Sequence, residues 1–218
     1  MVRSVPSTWY GCRSTRSLRI WKNNKKEAVK KERGFLPVEI PHDWQIYDAS
    51  FFYEDCSGWY RKKVICKKEK NHRYLLRFEG IYMDSELYVN SRKVLEWKYG
   101  YSTFEADITD FLENGNNEIM VGVHVKHPNS RWYAGAGIYR NVWLKTVHTE
   151  HLVSDGIYVS TEEQKDGYQV LVYVETSQAA GTEVQCNLEG IEKKLPIRRD
   201  GDRAEITYFL KKPKLREP

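Results

Sequence analysis

The chain has 218 residues, 40% hydrophobic, 30% charged and 13% aromatic, with 14 Gly and 7 Pro. Aromatic and β-branched residues are too plentiful for a disordered chain, and no run approaches the ~18 apolar residues that cross a bilayer as a helix. The net charge of +5 is uneven: residues 1–34 hold ten Lys/Arg against two Glu, a net of +8, and the rest of the chain is at −3. A nucleic-acid protein would be expected to carry its basic patch on the folded body. Here the charge falls on a polar N-terminal segment, which reads as a solvated arm.

The N-terminus shows no apolar core of a signal peptide. The four cysteines, Cys12, Cys56, Cys66 and Cys186, have neither CxxC nor zinc-ligand spacing and read as free thiols in a reducing compartment. A complete TIM barrel typically needs about 250 residues and regular βα alternation. The chain has neither.

From Phe35 onward the sequence reads as short strands broken by turns. Strands are expected at 59–65, 74–78, 86–89, 93–97 and 104–108, with a tight turn at Asn90-Ser91-Arg92. Thr109 to Leu112 reads as one helical turn capped by Thr109. Asn114-Gly115-Asn116-Asn117 signals a turn. The clearest strand runs from Glu118 to Val125, with Ile119, Val121, Val123 and Val125 on one face, and another runs from Asn141 to Val147. Such spacing predicts an antiparallel β-sandwich to about residue 150. A second block, from about His151, predicts strands at 156–160, 168–174, 183–188 and 204–209, with turns at 165–167 and 199–202. It reads as an immunoglobulin-like sandwich that is short of the usual seven strands.

Two segments between strands are rich in aromatic, glycine and polar residues. One runs from Pro41-His42-Asp43-Trp44 to Tyr60-Arg61, the other from Asn129-Ser130-Arg131-Trp132 to Tyr139-Arg140. Aromatic faces beside carboxylates, amides and Arg suit a carbohydrate, but composition alone favours core packing for Trp59, Trp132, Trp143 and Tyr139. Gly135-Ala136-Gly137 lacks the context of a dinucleotide fingerprint and reads as a tight turn. His124 and His127 fall on opposite faces of a strand, which argues against a shared metal. His42 and Asp43 read as a pair that could orient one another, but no nucleophile accompanies them. Nothing in the sequence selects two glycosidase carboxylates from Asp84, Glu86, Asp107 and Asp110.

The order of motifs is more specific. Pro-His-Asp-Trp at 41–44, Tyr-Glu-Asp-Cys-Ser-Gly-Trp-Tyr-Arg-Lys at 53–62 and Phe-Glu-Gly-Ile-Tyr at 78–82 come first. Leu-Tyr-Val-Asn at 87–90, Gly-Tyr-Ser-Thr-Phe at 100–104, Asp-Ile-Thr at 107–109 and the run from Pro128 to Leu144 follow. Together they resemble the sugar-binding domain of family 2 glycoside hydrolases, closest to β-galactosidase-like and β-glucuronidase-like members. The resemblance implies an all-β chain: a jelly-roll over 35–150, then a truncated immunoglobulin-like sandwich over 151–218. Residues 1–34 match the family least. It also implies that the catalytic glutamates sit on a barrel absent from these residues, so the chain alone is expected to be inactive.

Asp55 stands where such enzymes place a rim Asn, and Asn129, Ser130, Arg131 and Trp132 occupy the second rim loop, without the acid found in some members. His42, Asp43, Trp44, Tyr139 and Arg140 are structural or rim residues on the same reading. No catalytic residue, metal ligand or cofactor is expected here, although full-length relatives use Na or Mg ions. The implied partners are a β-glycoside, the barrel of the same polypeptide and a homo-oligomeric contact, with neither nucleic acid nor membrane, in a bacterial cytoplasm. A free-standing carbohydrate-binding or interaction module is the alternative.

Overall fold

The computed structural model describes residues 2–4, 8–14, 35–46, 55–128, 135–177, 183–188, 191–196, 203–211 and 213; among them every regular element is a β-strand. The chain divides into two compact units, residues 1–146 and 147–218. The first holds β1 (Val2–Ser4), β2 (Thr8–Ser14), β3 (Leu36–Glu39), β4 (Cys56–Cys66), β5 (His72–Phe78) and β6 (Ser85–Val89). It continues with β7 (Arg92–Trp97), β8 (Phe104–Asp107), β9 (Gly115–Val125) and β10 (Val142–His148), whose last residues lie in the second unit. A six-stranded sheet has the order β3-β2-β4-β9-β6-β7, and a four-stranded sheet the order β1-β10-β5-β8. The pairing is antiparallel, as in β4 with β9 from Cys56↔Val125 to Cys66↔Gly115.

Alternation builds the core. Ile119, Val121, Val123 and Val125 all point inward from β9 and are buried, as are Tyr74, Leu76 and Phe78 of β5, and the two sets share one cluster with Leu87, Val89, Phe104 and Ala106. Burying each such side chain contributes roughly 1.5–3 kcal/mol. The opposite face of β9 is covered too. Gly122 lies beneath the Trp59 indole, where an added Cβ would come within 3.0 Å of the ring. Trp59 is therefore packing rather than rim, 5.8 Å from Tyr88 and 6.3 Å from His124 between ring centroids.

Three expectations change. The basic segment is not simply an arm: β1 pairs with β10, and β2 lies between β3 and β4. Charged residues are compatible with strands there because alternate positions can face water. The turn at 114–117 is shorter than its Asn/Gly content suggested, since β9 already begins at Gly115, with φ of +98°. Asp107, not Thr109, caps the single turn after β8. Its Oδ1 accepts from the Thr109 N–H at 2.9 Å, while the Thr109 hydroxyl accepts from the Tyr74 N–H at 2.8 Å.

The second unit holds β11 (Leu152–Gln164), β12 (Gly167–Thr176), β13 (Glu183–Leu188), β14 (Ile191–Pro196) and β15 (Arg203–Leu210). A sheet β11-β12-β15 faces the β13–β14 hairpin, and Val170, Val172, Val174, Ile206 and Tyr208 pack with Val184 of the hairpin. Ile157 and Val159 of β11 stand opposite Val174 and Val172 and so share the core face, yet they are 55% and 53% exposed. The expected turn at 199–202 lies outside the described residues.

Candidate functional site

In an antiparallel sandwich, alternate connections collect at opposite ends. The registers Cys56↔Val125, Ser85↔Trp97 and Phe78↔Phe104 put the starts of β4, β6 and β8 at one end, with the ends of β9, β7 and β5. The connections 79–84 and 98–103 therefore share that end with Asp55, before β4, and residues 126–128, after β9.

Residues 42–44 form a short backbone ladder with 136–138. The His42 N–H donates to the Ile138 carbonyl at 2.8 Å, and the Trp44 N–H to the Ala136 carbonyl at 3.0 Å. Asp43 locks this ladder, its Oδ1 accepting from the N–H of Gln45 at 2.9 Å and of Ala136 at 3.0 Å. Gly137, at φ +127°, has no room for a side chain: a Cβ would meet the Tyr60 hydroxyl and come within 2.6 Å of the His42 carbonyl oxygen. Tyr60 reaches this point from the buried face of β4. Its hydroxyl lies 2.8 Å from His42 Nδ1 and accepts from the Ile138 N–H at 3.3 Å. Burial lowers the His42 pKa, opposed by the Asp43 carboxylate, and a neutral imidazole can accept at Nδ1 from the Tyr60 hydroxyl. The Trp44 ring packs over Gly58, where a Cβ would lie 2.7 Å away, and its Nε1–H donates to Cys56 Sγ at 3.3 Å. Cys56 is buried and serves as this acceptor, not as an accessible nucleophile.

Asp55 is exposed beside this ladder, and its Oδ1 accepts from the His127 N–H at 2.6 Å. Tyr139 donates its hydroxyl to the Gly100 carbonyl at 2.8 Å, and the Arg140 guanidinium sits 5.7 Å from the Tyr139 ring centroid. Burial raises the Tyr139 pKa; Arg140 opposes this, and Tyr101 and Tyr99 add to it.

The structure thus joins His42, Asp43 and Trp44 to the 135–138 segment and Asp55 to His127. Asn129, Ser130, Arg131 and Trp132 lie outside the described residues. His42 and Asp43 are coupled through charge, the Asp43 carboxylate opposing the effect of burial on the imidazole. Neighbours in an extended segment project to opposite sides, and their described hydrogen bonds lead to Tyr60 on one hand and to Gln45 and Ala136 on the other. Tyr60 and Glu79 were missed by sequence reasoning. Glu79 accepts from Trp143 Nε1 at 2.8 Å and Asn141 Nδ2 at 3.1 Å, and no local pattern signals such a long-range acceptor.

Ser57, His124 and Glu86 line up across three strands, with Ser57 Oγ 2.9 Å from His124 Nδ1. The His124 Nε2 to Glu86 Oε2 distance of 3.9 Å exceeds hydrogen-bond reach, so the row does not reproduce a catalytic triad. Among the described residues no group of three or more His, Cys, Asp and Glu could hold a metal ion.

Comparison with known proteins accounts for this architecture. The sequence is 36% identical over 148 residues to a β-galactosidase of Bacteroides ovatus, covering 62% of this chain and 17% of that protein. It is 30% identical over 167 residues to a β-galactosidase of Thermoanaerobacter pseudethanolicus, covering 70% of this chain and 22% of that one. The chain thus spans about a fifth of the length of these curated relatives. The crystal structure of a glycosyl hydrolase family 2 member from Bacteroides cellulosilyticus aligns with a TM-score of 0.74 at 26% identity, over 98% of this chain and 32% of that one. A β-glucuronidase of an uncultured Clostridium shares the fold with a TM-score of 0.77, over 99% of this chain and 40% of that one. The model of the family 2 glycosyl hydrolase sugar-binding domain matches residues 3–148, beginning within the basic segment that had looked foreign to it. The chain belongs to glycosyl hydrolase family 2, through its sugar-binding domain.

Proposed function

We propose that this chain supplies the sugar-facing rim of a β-galactosidase-like or β-glucuronidase-like active site, and that the acid and nucleophile carboxylates lie beyond these 218 residues. What supports this reading is the fixing of Asp55, which the resemblance sets where the family has a rim Asn, against the His127 N–H at 2.6 Å. The Asp43–Ala136 bond holds the two rim connections together behind it. A rim contributes orientation, while bond cleavage by retention needs two carboxyl groups about 5–5.5 Å apart. The barrel that carries them is the natural partner of this end of the sandwich.

Assay of the purified chain on nitrophenyl β-galactoside and β-glucuronide tests the reading. The expected result is no turnover above blank; turnover overturns it. Calorimetric titration with galactose and glucuronic acid adds a second test. A partial pocket buries little sugar and binds weakly, whereas micromolar affinity would favour a free-standing carbohydrate-binding module.

A further inference from the structure

The connection between β7 and β8, residues 98–103, is held at alternating positions. The Lys98 carbonyl accepts from the Asp84 N–H at 3.2 Å, and the Gly100 carbonyl from the Tyr139 hydroxyl at 2.8 Å. The Ser102 hydroxyl accepts from Trp97 Nε1 at 3.3 Å, and the Thr103 hydroxyl donates to the Glu79 carbonyl at 3.3 Å. Gly100 also rests on the Tyr82 ring, where a Cβ would come within 2.9 Å of the ring edge. The residues between these anchors, Tyr99 and Tyr101, are 63% and 45% exposed.

This is a built arrangement, not a loose loop with solvated aromatics. The two rings meet edge to face, 5.8 Å between centroids at 68°, and Tyr101 lies 5.2 Å from the buried Tyr82. The backbone of Tyr82 in turn pairs with Gly137. The aromatic corner is thereby continuous with the segment that Asp43 and Tyr60 hold. Adjoining exposed apolar side chains mark ligand-binding surface more readily than singly scattered ones.

We propose that Tyr99 and Tyr101 form a stacking corner for one pyranose unit of a β-linked oligosaccharide, a subsite outside the rim contact at Asp55. The assignment rests on the sugar-rim reading above. One phenol face takes the C–H face of the sugar, and the second ring closes its edge. The phenol hydroxyls and the nearby Arg140 supply polar partners for sugar hydroxyls. A protein partner is the weaker match. Ile46 is the exposed large aliphatic side chain among the described residues of the rim connections, whereas a protein interface needs a broad, well-packed apolar core.

Saturation-transfer NMR of the 218-residue chain with lactose and a β-galactotriose tests the proposal, because it reads weak binding. Wild type is expected to transfer saturation to the sugar protons, with the trisaccharide binding more tightly than the disaccharide. Tyr99→Ala and Tyr101→Ala should each weaken binding about tenfold, which is about 1.4 kcal/mol. Tyr101→Trp should restore it, and Tyr158→Ala, an exposed tyrosine of the second unit, should leave it unchanged. Thermal melts verify folding; Tyr99 is exposed enough for its Ala variant to remain native. Binding unaffected by both Ala variants overturns the proposal, as does absence of transfer to wild type. Tyrosine-dependent self-association in light scattering also overturns it, in favour of a second copy. None of these failures touches the rim reading, which is judged by turnover and by micromolar affinity for the monosaccharides.

Discussion

The carboxylate of Asp43 and the backbone N–H of Ala136 meet at 3.0 Å although 93 positions separate them in the chain. The same oxygen holds the Gln45 N–H, so one side chain fixes both rim connections. Asp43→Ala leaves two N–H groups without this acceptor. Hydrogen bonds to a charged group contribute about 1.5–3 kcal/mol each, and with partial exposure the expected combined loss is about 2–4 kcal/mol. Urea denaturation reads it as a lower midpoint. Asp43→Asn, which keeps one carbonyl acceptor, should recover roughly half. An unchanged midpoint for the Ala variant would show that the bond does not matter.

Tyr60 and His42 give a pH signature. The His42 pKa lies below 6.5 because burial disfavours its charge, with Asp43 opposing. The unfolded chain therefore binds the proton more readily than the native state. The His42 contribution is fully present above about pH 6.5 and is lost as pH falls toward the lower native value. His42→Gln should flatten the stability profile across that window. Tyr60→Phe, which strips the Ile138 N–H of its acceptor, should cost about 1–3 kcal/mol at neutral pH. A wild-type profile unaltered in His42→Gln would contradict this account.

Asp107 is the second carboxylate with a structural duty. Burial alone would raise its pKa, but hydrogen bonds from the Thr109 hydroxyl and N–H, with Arg73 beside it, more than reverse this, and the net value lies below 3.8. Its stabilisation holds above about pH 3.8 and disappears as pH falls through the native value. Asp107→Ala is expected to cost about 1–2 kcal/mol, as for loss of a cap, and to remove that acid limb. Thermal melts at neutral and acid pH give both numbers.

The β6–β7 turn offers a gain. Val89 pairs with Arg92, leaving a two-residue turn in which Asn90 and Ser91 have φ of +49° and +65°. Both angles suit a left-handed hairpin turn, where glycine is favoured at the second position. Ser91→Gly should stabilise by about 0.5–1 kcal/mol. Asn90 should not be exchanged, since its amide donates to the Phe111 carbonyl and to Asn117, and its oxygen accepts from the Glu118 N–H. An unchanged or lower urea midpoint for Ser91→Gly would argue against turn strain.

What the sequence made legible was whatever depends on neighbours in the chain. The alternation of Ile119, Val121, Val123 and Val125 named a buried face, and Asn90-Ser91 named its turn. The site was less legible because its contacts are long-range. Nothing near Tyr60 announces that its hydroxyl ends between His42 and Ile138. The adjacency of His42 and Asp43 was visible, but not that their hydrogen bonds reach Tyr60 on one hand and Gln45 and Ala136 on the other. That Trp59 packs rather than faces a sugar depends on Gly122 of another strand, whose missing side chain makes room for the indole. The basic composition of residues 1–34 hid two strands, because charge reports the solvent face of a strand and not whether one exists.

The edge strand β11 has a practical consequence. Its 13 residues present Ile157, Tyr158 and Val159 to water on a strand that, among the described residues, pairs on one side with β12 and on the other with no strand, the arrangement that invites another molecule to add to the sheet. Glu162 and Glu163 farther along provide the gatekeeping charge, and none stands at the apolar triplet itself. The working concentration of the purified chain will be limited by this triplet rather than by the sugar-facing end. Val159→Lys is the single change expected to raise that ceiling without disturbing the first unit.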